Sequence, residues 1–373
     1  MRDVPALRSL VPAWESLAKA AIEPNVFYEP WMLLPALEAF QEPGVEIVTV
    51  MSPRGGVGGG PRMIGLFPLV RMERYHRLPI AWVRLVTHPY CFLRAPLIDA
   101  DHGWECLSAF FDWLKGESGA AFLELRGVPG DGPLAHLLVD VLRERRMASF
   151  LSECVTRAMF RPRETTPAYL AAALAGKARR NLQNKHRRLS QLGRVELGEL
   201  GAEMEVEPWI GEFLHLEASG WKGRGGTAIS SSATHRLFFE AIMREAHRQG
   251  RLMMHALRLD GRAVAMRASL LAGDGAFAFK IAHDENQARL SPGVLLEAEI
   301  IRRSHEVRRV KWMDSCASPS SRLFSELWLD RRTIQVLLVA ARKLPGELLI
   351  SLIPLVRWLR GTMDRRPPPD GDE

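Results

Sequence analysis

Cysteine is scarce in this 373-residue chain, and the four present, Cys91, Cys106, Cys154 and Cys316, stand far apart. Without paired spacing they exclude a zinc-knuckle pattern and a disulfide framework, which leaves reduced thiols and no expected metal site. Long apolar runs are missing as well. None reaches the roughly 18 residues of a spanning helix. The opening MRDVPALRSLVPAWESLAKA also lacks the uninterrupted apolar stretch of a signal peptide, so the expected location is cytoplasmic. Apolar residues as such are not lacking. A composition of 47% hydrophobic and 25% charged residues is that of a globular protein, not a disordered one. The length suits two domains of about 150 residues each. A net charge of +7 and a pI near 9.5 call for an anionic partner: a phosphorylated cofactor, nucleic acid or an acidic membrane surface.

Along the chain a theme repeats. Residues 12–22 and 30–40 read as helices, followed by the strand VEIVTVMS, a glycine-rich turn from Arg54 to Pro61, and the strand MIGLFPLV. Short strands around 82–86 and 92–96, a helix over 104–116, a strand over 120–125 and a helix over 132–146 complete a first α/β half. The second half begins near Phe160 with a helix from Pro167 to Leu192, the strand RVELGEL, and helices over 207–220 and 233–249. The hairpin theme then returns in LMMHALRLD, RAVAMRASLLA and AFAFKIAHDE. A helix over 292–306 and the strand RVKWMDSC close the unit. The order suggests an internal duplication. Residues 331–373 read as an amphipathic tail. Its apolar part, 333–359, is broken by Arg342, Lys343, Pro345 and Glu347 and fits a helix pair lying on a membrane surface or packed on the protein. The end, TMDRRPPPDGDE, reads as disordered.

The segment AFAFKIAHDENQARLSPGVLLEAEIIRR, 276–303, carries the cofactor expectation. A strand ends near Ile281, and a helix opens at Ser291-Pro292-Gly293. Serine suits the N-cap and proline the first helical position. Gly293 permits close approach to the backbone. Free N–H groups at the helix start, with Arg289 beside them, make an anion site that a pyrophosphate would fill. A well-capped helix start with no ligand is the competing reading.

Strand, Arg-x-x-x-Gly turn and apolar helix resemble the acyl-CoA pyrophosphate loop of the GNAT superfamily, although Ser-Pro precedes a single glycine here. Further blocks resemble the BioF2-like acetyltransferase group, which is related to the peptidoglycan bridge-forming aminoacyltransferases. These are Trp14-x-x-Leu17, Asn25-x-Phe27-x-x-Pro30-Trp31, FLHLEASGWKGRGGTA (213–228), FKIAHDE (279–285), SPG (291–293) and DSCA (314–317). The resemblance spans about residues 14 to 330. It implies an α/β fold of tandem GNAT-like domains, 1–155 and 156–330, with mixed, mostly antiparallel sheets flanked by helices. It also implies acyl-CoA as co-substrate, held by Arg289, Leu290, Ser291, Gly293 and Val294, with backbone of the 276–282 strand pairing with the pantetheine arm. The first half would be mostly scaffold. An Asp-His-like pair expected after DSCA is replaced by SPSSRLFSELW (318–328), so no histidine role carries over there.

For proton transfer the candidates are Asp314, at a strand end beside the expected thioester, and His283, acting through a water. Asp314 is otherwise a hydrogen-bond anchor, and His283 otherwise a solvated turn residue alongside Asp284. Lys280 interrupts an apolar strand, where an unpaired ammonium is costly, so it should meet a carboxylate or a substrate anion. Glu217, Trp221 and Lys222 border the glycine-rich WKGRGG, which reads as a loop folding over substrate or as an ordinary surface loop. Cys316 reads as a small buried hydrophobe more than a nucleophile. The basic helix GKARRNLQNKHRRLSQLG (176–193) offers a positive face to tRNA or anionic lipid, or is simply solvated. It lacks the interleaved aromatics that stack on bases, which counts against single-strand binding, and nucleic acid is not the expected partner.

The expected activity is acyl-CoA-dependent transfer to an amine of an envelope or lipid precursor, either a long-chain amino alcohol or an amino sugar, at the inner face of the membrane. The alternatives are an aminoacyl-tRNA-dependent transferase and a non-catalytic partner in exopolysaccharide biosynthesis.

Overall fold

The computed structural model describes residues 7–53, 55 and 60–353. One 12-stranded sheet runs through the molecule in the order β1-β2-β3-β5-β12-β6-β11-β10-β9-β8-β7, with β4 attached to β2. The first half contributes helices α1 (Val11–Ala20) and α2 (Pro30–Phe40), strands β1 (Val45–Ser52), β2 (Arg62–Met72), β3 (Trp82–Leu85) and β4 (Leu97–Ile98), helix α3 (Gly103–Gly116), strand β5 (Phe122–Pro129), helix α4 (Gly132–Glu144) and strand β6 (Ser149–Phe160). The second contributes α5 (Thr166–Ala173), α6 (Gly176–Ser190), β7 (Val195–Glu199), α7 (Glu207–Ser219), the short α8 (Trp221–Arg224), α9 (Ala233–Arg248), β8 (Leu252–Leu259), β9 (Arg262–Ala272), β10 (Gly275–His283), α10 (Pro292–Val307), β11 (Trp312–Asp314), α11 (Arg322–Leu327) and β12 (Asp330–Ala340).

The repeat is real in topology. In each half an antiparallel meander leads through a crossover helix, α3 or α10, to a strand parallel to the last of the meander: β5 beside β3, β11 beside β10. The strand after the next helix then leaves for the other half. β6 pairs with β11, β12 pairs with β5, and the exchanged strands lie antiparallel against each other along Ser149–Met159 and Asp330–Val339. The 155/156 boundary therefore falls inside β6. Core packing also crosses the seam, with Phe27 against Phe277 at 5.1 Å between ring centroids.

Two expectations fail here. The segment from Thr333 is a central strand and not the start of a helix pair. Its β-branched Thr333, Ile334, Val336 and Val339 suit the ladder that closes the gap between β5 and β6. Among the described residues of the tail, a π-helical turn at Lys343–Glu347 leads into the helical stretch 348–353, where Ile350 is buried with Phe122 and Leu338. The expected disordered end and most of the glycine-rich 54–61 turn lie outside the described residues. Likewise the single helix expected over 167–192 is two helices, broken between Ala173 and Gly176.

Candidate active site

β10 and β11 pair only over Gly275–Phe277 and Trp312–Asp314, yet β10 continues to His283. A bulge between Phe277 and Lys280, seen against β9, bends the strand at that point. Beyond it, the edge of β10 facing β11 has no ladder partner among the described residues. Helix α10 opens at the same end. Pro292 supplies no N–H, and Val294 and Leu295 donate to the Ser291 carbonyl, which leaves Gly293 N–H without an intrahelical acceptor. A Cβ on Gly293 would lie 3.9 Å from both His283 Nδ1 and Ile281 Cδ1, so the helix start packs at van der Waals distance against the side chains at the end of β10.

The sequence-predicted anion loop is assembled only in part. Ser291 adopts the left-handed conformation at φ 52, and its hydroxyl does not cap α10. It accepts a hydrogen bond of 2.7 Å from Lys185 Nζ instead. Arg289 is exposed one turn earlier. Leu290 is buried in the core under α10, so its side chain cannot line the site.

Glu217, near the end of α7, is buried. Its carboxylate accepts from Lys222 Nζ at 2.9 Å and from the Ile229 N–H at 2.8 Å, tying together both ends of the glycine-rich segment. Arg224 of that segment pairs with Glu285 on the turn between β10 and α10. A cavity of about 190 Å³ lies between Glu217 and Lys222 on one side and Ile281 and His283 on the other. The backbone of Trp221 opens α8, while its side chain lies outside the described residues. Lys280 holds its ammonium over the rings of Tyr90 and Phe92, at 4.8 and 5.3 Å. Burial, and then the charge of Lys222, bring its pKa down to about 8. Tyr90 in turn shares a 3.0 Å hydrogen bond with His235 Nδ1 of α9.

Asp314 is not built to accept a proton. It is fully buried, and Oδ2 accepts from Arg157 Nη2 at 2.7 Å and Arg332 Nη1 at 3.0 Å, while Oδ1 accepts from the Cys316 N–H at 2.9 Å. Burial alone would raise its pKa, but the two guanidiniums hold it below the usual carboxylate range. The two arginines come from the exchanged strands β6 and β12. Arg332 continues to Glu23, and Arg157 donates to the Phe92 carbonyl at 2.7 Å, so Asp314 anchors the seam. Cys316 is buried, and burial together with the Asp314 carboxylate pushes its thiol well up, away from the nucleophilic form.

Sequence reasoning therefore brought Lys280, His283, Glu217, Lys222 and Gly293 to one end of β10. It missed Tyr90, Phe92 and His235, the first two of which come from the first half. Their one signal was the neighbouring motif: Asn25 Nδ2 donates to the carbonyls of Leu93 (3.2 Å) and Ala95 (2.8 Å) and so fixes the segment that carries both rings. Among the described residues no three His, Cys, Asp or Glu side chains converge as a metal site, and no helix is long and apolar enough to cross a membrane.

Residues 176–320 match the acetyltransferase (GNAT) domain family. Solved structures of similar fold include FemX, 11% identical with a TM-score of 0.57 over 92% of this chain and 98% of that one. Another is the C-terminal domain of a putative lysylphosphatidylglycerol synthetase from Agrobacterium fabrum, 11% identical with a TM-score of 0.53 over 94% and 96%. A conserved protein of unknown function from Bacteroides thetaiotaomicron reaches 0.53 at 12% identity, over 88% and 97%. No curated protein matches the sequence significantly.

Proposed function

We propose that this chain, a transferase of tandem GNAT fold, moves an acyl group from acyl-CoA to an amine. The observation that carries the reading is the β10 edge, unpaired among the described residues, running towards the start of α10, where the Gly293 N–H has no intrahelical acceptor. A pantetheine amide needs a strand edge to pair with, and a pyrophosphate needs N–H groups at a helix start. Gly293, Val294 and Arg289 would hold the pyrophosphate. The amine nitrogen attacks the thioester carbonyl, the C–N bond forms, the C–S bond breaks, and the CoA thiolate leaves. Lys280 takes the proton released by the amine. At a pKa of about 8 a substantial neutral fraction is present at working pH, and the faces of Tyr90 and Phe92 stabilise the ammonium that results. His283, exposed at the strand end beside Gly293, lines the donor side. Glu217 and Lys222 wall the acceptor side.

The acceptor is an envelope or lipid amine, a long-chain amino alcohol or an amino sugar, met at the inner face of the membrane. In support, Leu344, Leu348 and Leu352 stand exposed at the end of the described chain on a protein of net charge +7. One observation favours an aminoacyl-tRNA donor instead: Lys177, Arg179, Arg180 and Arg188 are all exposed on α6. Calorimetry with acetyl-CoA and long-chain acyl-CoA, on wild type and on Arg289→Ala with Gly293→Trp, separates the two. Tight thioester binding lost in the double variant is the expected outcome. A folded wild type that binds neither thioester but binds tRNA in a salt-dependent manner overturns the acyl-CoA reading.

A further inference from the structure

Tyr90 belongs to the first half by sequence and to the second half by its surroundings. It is buried, and its ring lies 5.1 Å from Phe238 of α9, 5.9 Å from Phe279 of β10 and 6.0 Å from Phe40 of α2. All three meet it at a tilt of 34°. None is stacked flat on it, and apolar packing by itself has little directional grip. Lys280 places its ammonium over the face of this ring, 4.8 Å from the centroid.

A buried phenol needs a partner for its O–H. Burial, and then the charge of Glu217, push the Tyr90 pKa up, so the hydroxyl keeps its proton and has one to donate. Among the described residues its partner is His235 Nδ1, at 3.0 Å. A neutral imidazole that accepts at Nδ1 carries its proton on Nε2. His235 stands in the first turn of α9, half-buried, with its ring edge-on to Phe40 at 5.3 Å. The Ser232 hydroxyl already caps that turn by accepting from the His235 backbone N–H, so the helix start does not need the imidazole.

The hydrogen bond supplies the directional restraint that the packing lacks. A cation is drawn to the face of an aromatic ring and not to its positive edge, so what Tyr90 does for Lys280 depends on how the ring is turned. One contact at the tip of the phenol sets that angle. The other groups around Lys280 are the Phe92 ring, Glu217 of α7, Lys222 of α8 and the Cys316 thiol.

We propose that His235 is a positioning residue of the proton-accepting site: it holds the Tyr90 hydroxyl and so keeps the phenol face beneath the Lys280 ammonium. The assignment rests on Lys280 as the group that takes the proton of the amine. It adds α9 and segment 86–96 to what sets the basicity of that lysine.

The pH dependence of Lys280 in the full chain tests it by two readouts. One is the rate at which acetic anhydride labels Lys280, followed by peptide mass spectrometry, which reads the neutral amine without turnover. The other is the pH–rate profile of transfer from acetyl-CoA to glucosamine or sphinganine. Tyr90→Phe keeps the ring and deletes the hydroxyl, and His235→Ala deletes the acceptor. Each should move both limbs down from about 8 by about half a pH unit to one unit. The double variant should move them no further than either single one. Tyr90→Phe preserves the packing, so it keeps the proposal falsifiable if His235→Ala fails to fold. A wild-type labelling profile in either folded single variant overturns the role of His235, because the two residues then do not act through one bond, and it leaves Lys280 as the base. A wild-type rate profile in Lys280→Met overturns the base reading instead, and the catalytic role of His235 with it.

Discussion

The two halves share one topology and differ in what fills the gap that topology creates. Between β10 and β11 the strand edge from Ala278 to His283 has no ladder partner among the described residues. Between β3 and β5, which pair only over Val83–Arg84 and Leu123–Glu124, segment 86–96 is folded in. Arg94 donates its N–H to the Gly127 carbonyl at 3.0 Å and its Nε to Thr87 Oγ1 at 2.9 Å. Its guanidinium lies so close over Gly127, at φ 78, that a Cβ there would approach Nη1 to 2.8 Å. The helix starts differ in the same sense. Ahead of α10 the Gly293 N–H is open. Against the turn that opens α3 the chain has seated a carboxylate of its own, Asp99, which accepts from the Asp101 N–H and from His102 Nδ1, each at 3.0 Å, and pairs with Arg62. One fold unit thus yields a cleft or a plug according to whether a segment of chain is folded into the gap. The plug is not idle, because its Tyr90 and Phe92 form a wall around Lys280 of the other half.

The largest expected effect breaks the comparison at Lys280. Lys280→Met should lower kcat/KM by about 10²- to 10⁴-fold, the usual worth of a positioned acid–base group, with little change in the melting temperature. The wild-type rate should rise with pH through about 8, where Lys280 loses its proton, and then level off. The variant should lose that limb. A wild-type-like profile in Lys280→Met would remove the proton role from this residue.

Next in size is the seam that joins the halves. Asp314→Asn leaves Arg157 and Arg332 facing each other without a full counter-charge, and breaking such a buried pair costs about 3–5 kcal/mol. Because the Asp314 pKa is lowered on folding, its contribution is present above the ordinary carboxylate range near 4 and is lost as pH falls through the folded value. Denaturant melts should show one transition for the whole sheet, shifted in the variant. Two transitions, with only one shifted, would mean that the halves fold separately.

Most of this architecture was legible from alternation and capping: the meanders, the crossover helices and the SPG helix start were all read at about their observed places. The strand expected around 92–96 is irregular chain, with only the two-residue β4 at Leu97–Ile98 after it, and the longer strands that went unread or misread are β6 and β12, the pair exchanged between the halves. Neither belongs to a local hairpin. β6, SFLSECVTRAMF, exposes Leu151 and Val155 rather than alternating cleanly, and its partners lie in β11 and β12. Asp314 was read either as a base or as a hydrogen-bond anchor, and its contacts are those of the anchor. Its arginines come from 157 and 18 residues away in sequence, and without them a carboxylate at a strand end looks like a base. Lys280 was readable because a lysine within AFAFKIA has to be compensated, but its compensation came from aromatic faces rather than from a carboxylate.

The smallest effect sharpens the contrast. Asp99→Asn weakens the charged contacts with Arg62 and His102 while keeping the side-chain shape, for an expected loss of about 1–3 kcal/mol. Donor binding should be unaffected, since the first-half gap stays closed by Arg94 even when the helix start loses its resident charge. Calorimetric stoichiometry should therefore remain one donor per chain. Adding Arg94→Ala removes the guanidinium from above Gly127 and should still give one, because the backbone of segment 86–96 is held independently by Asn25. A second donor bound by the double variant would mean that two side chains alone silence the first half, and that both halves retain the same latent site.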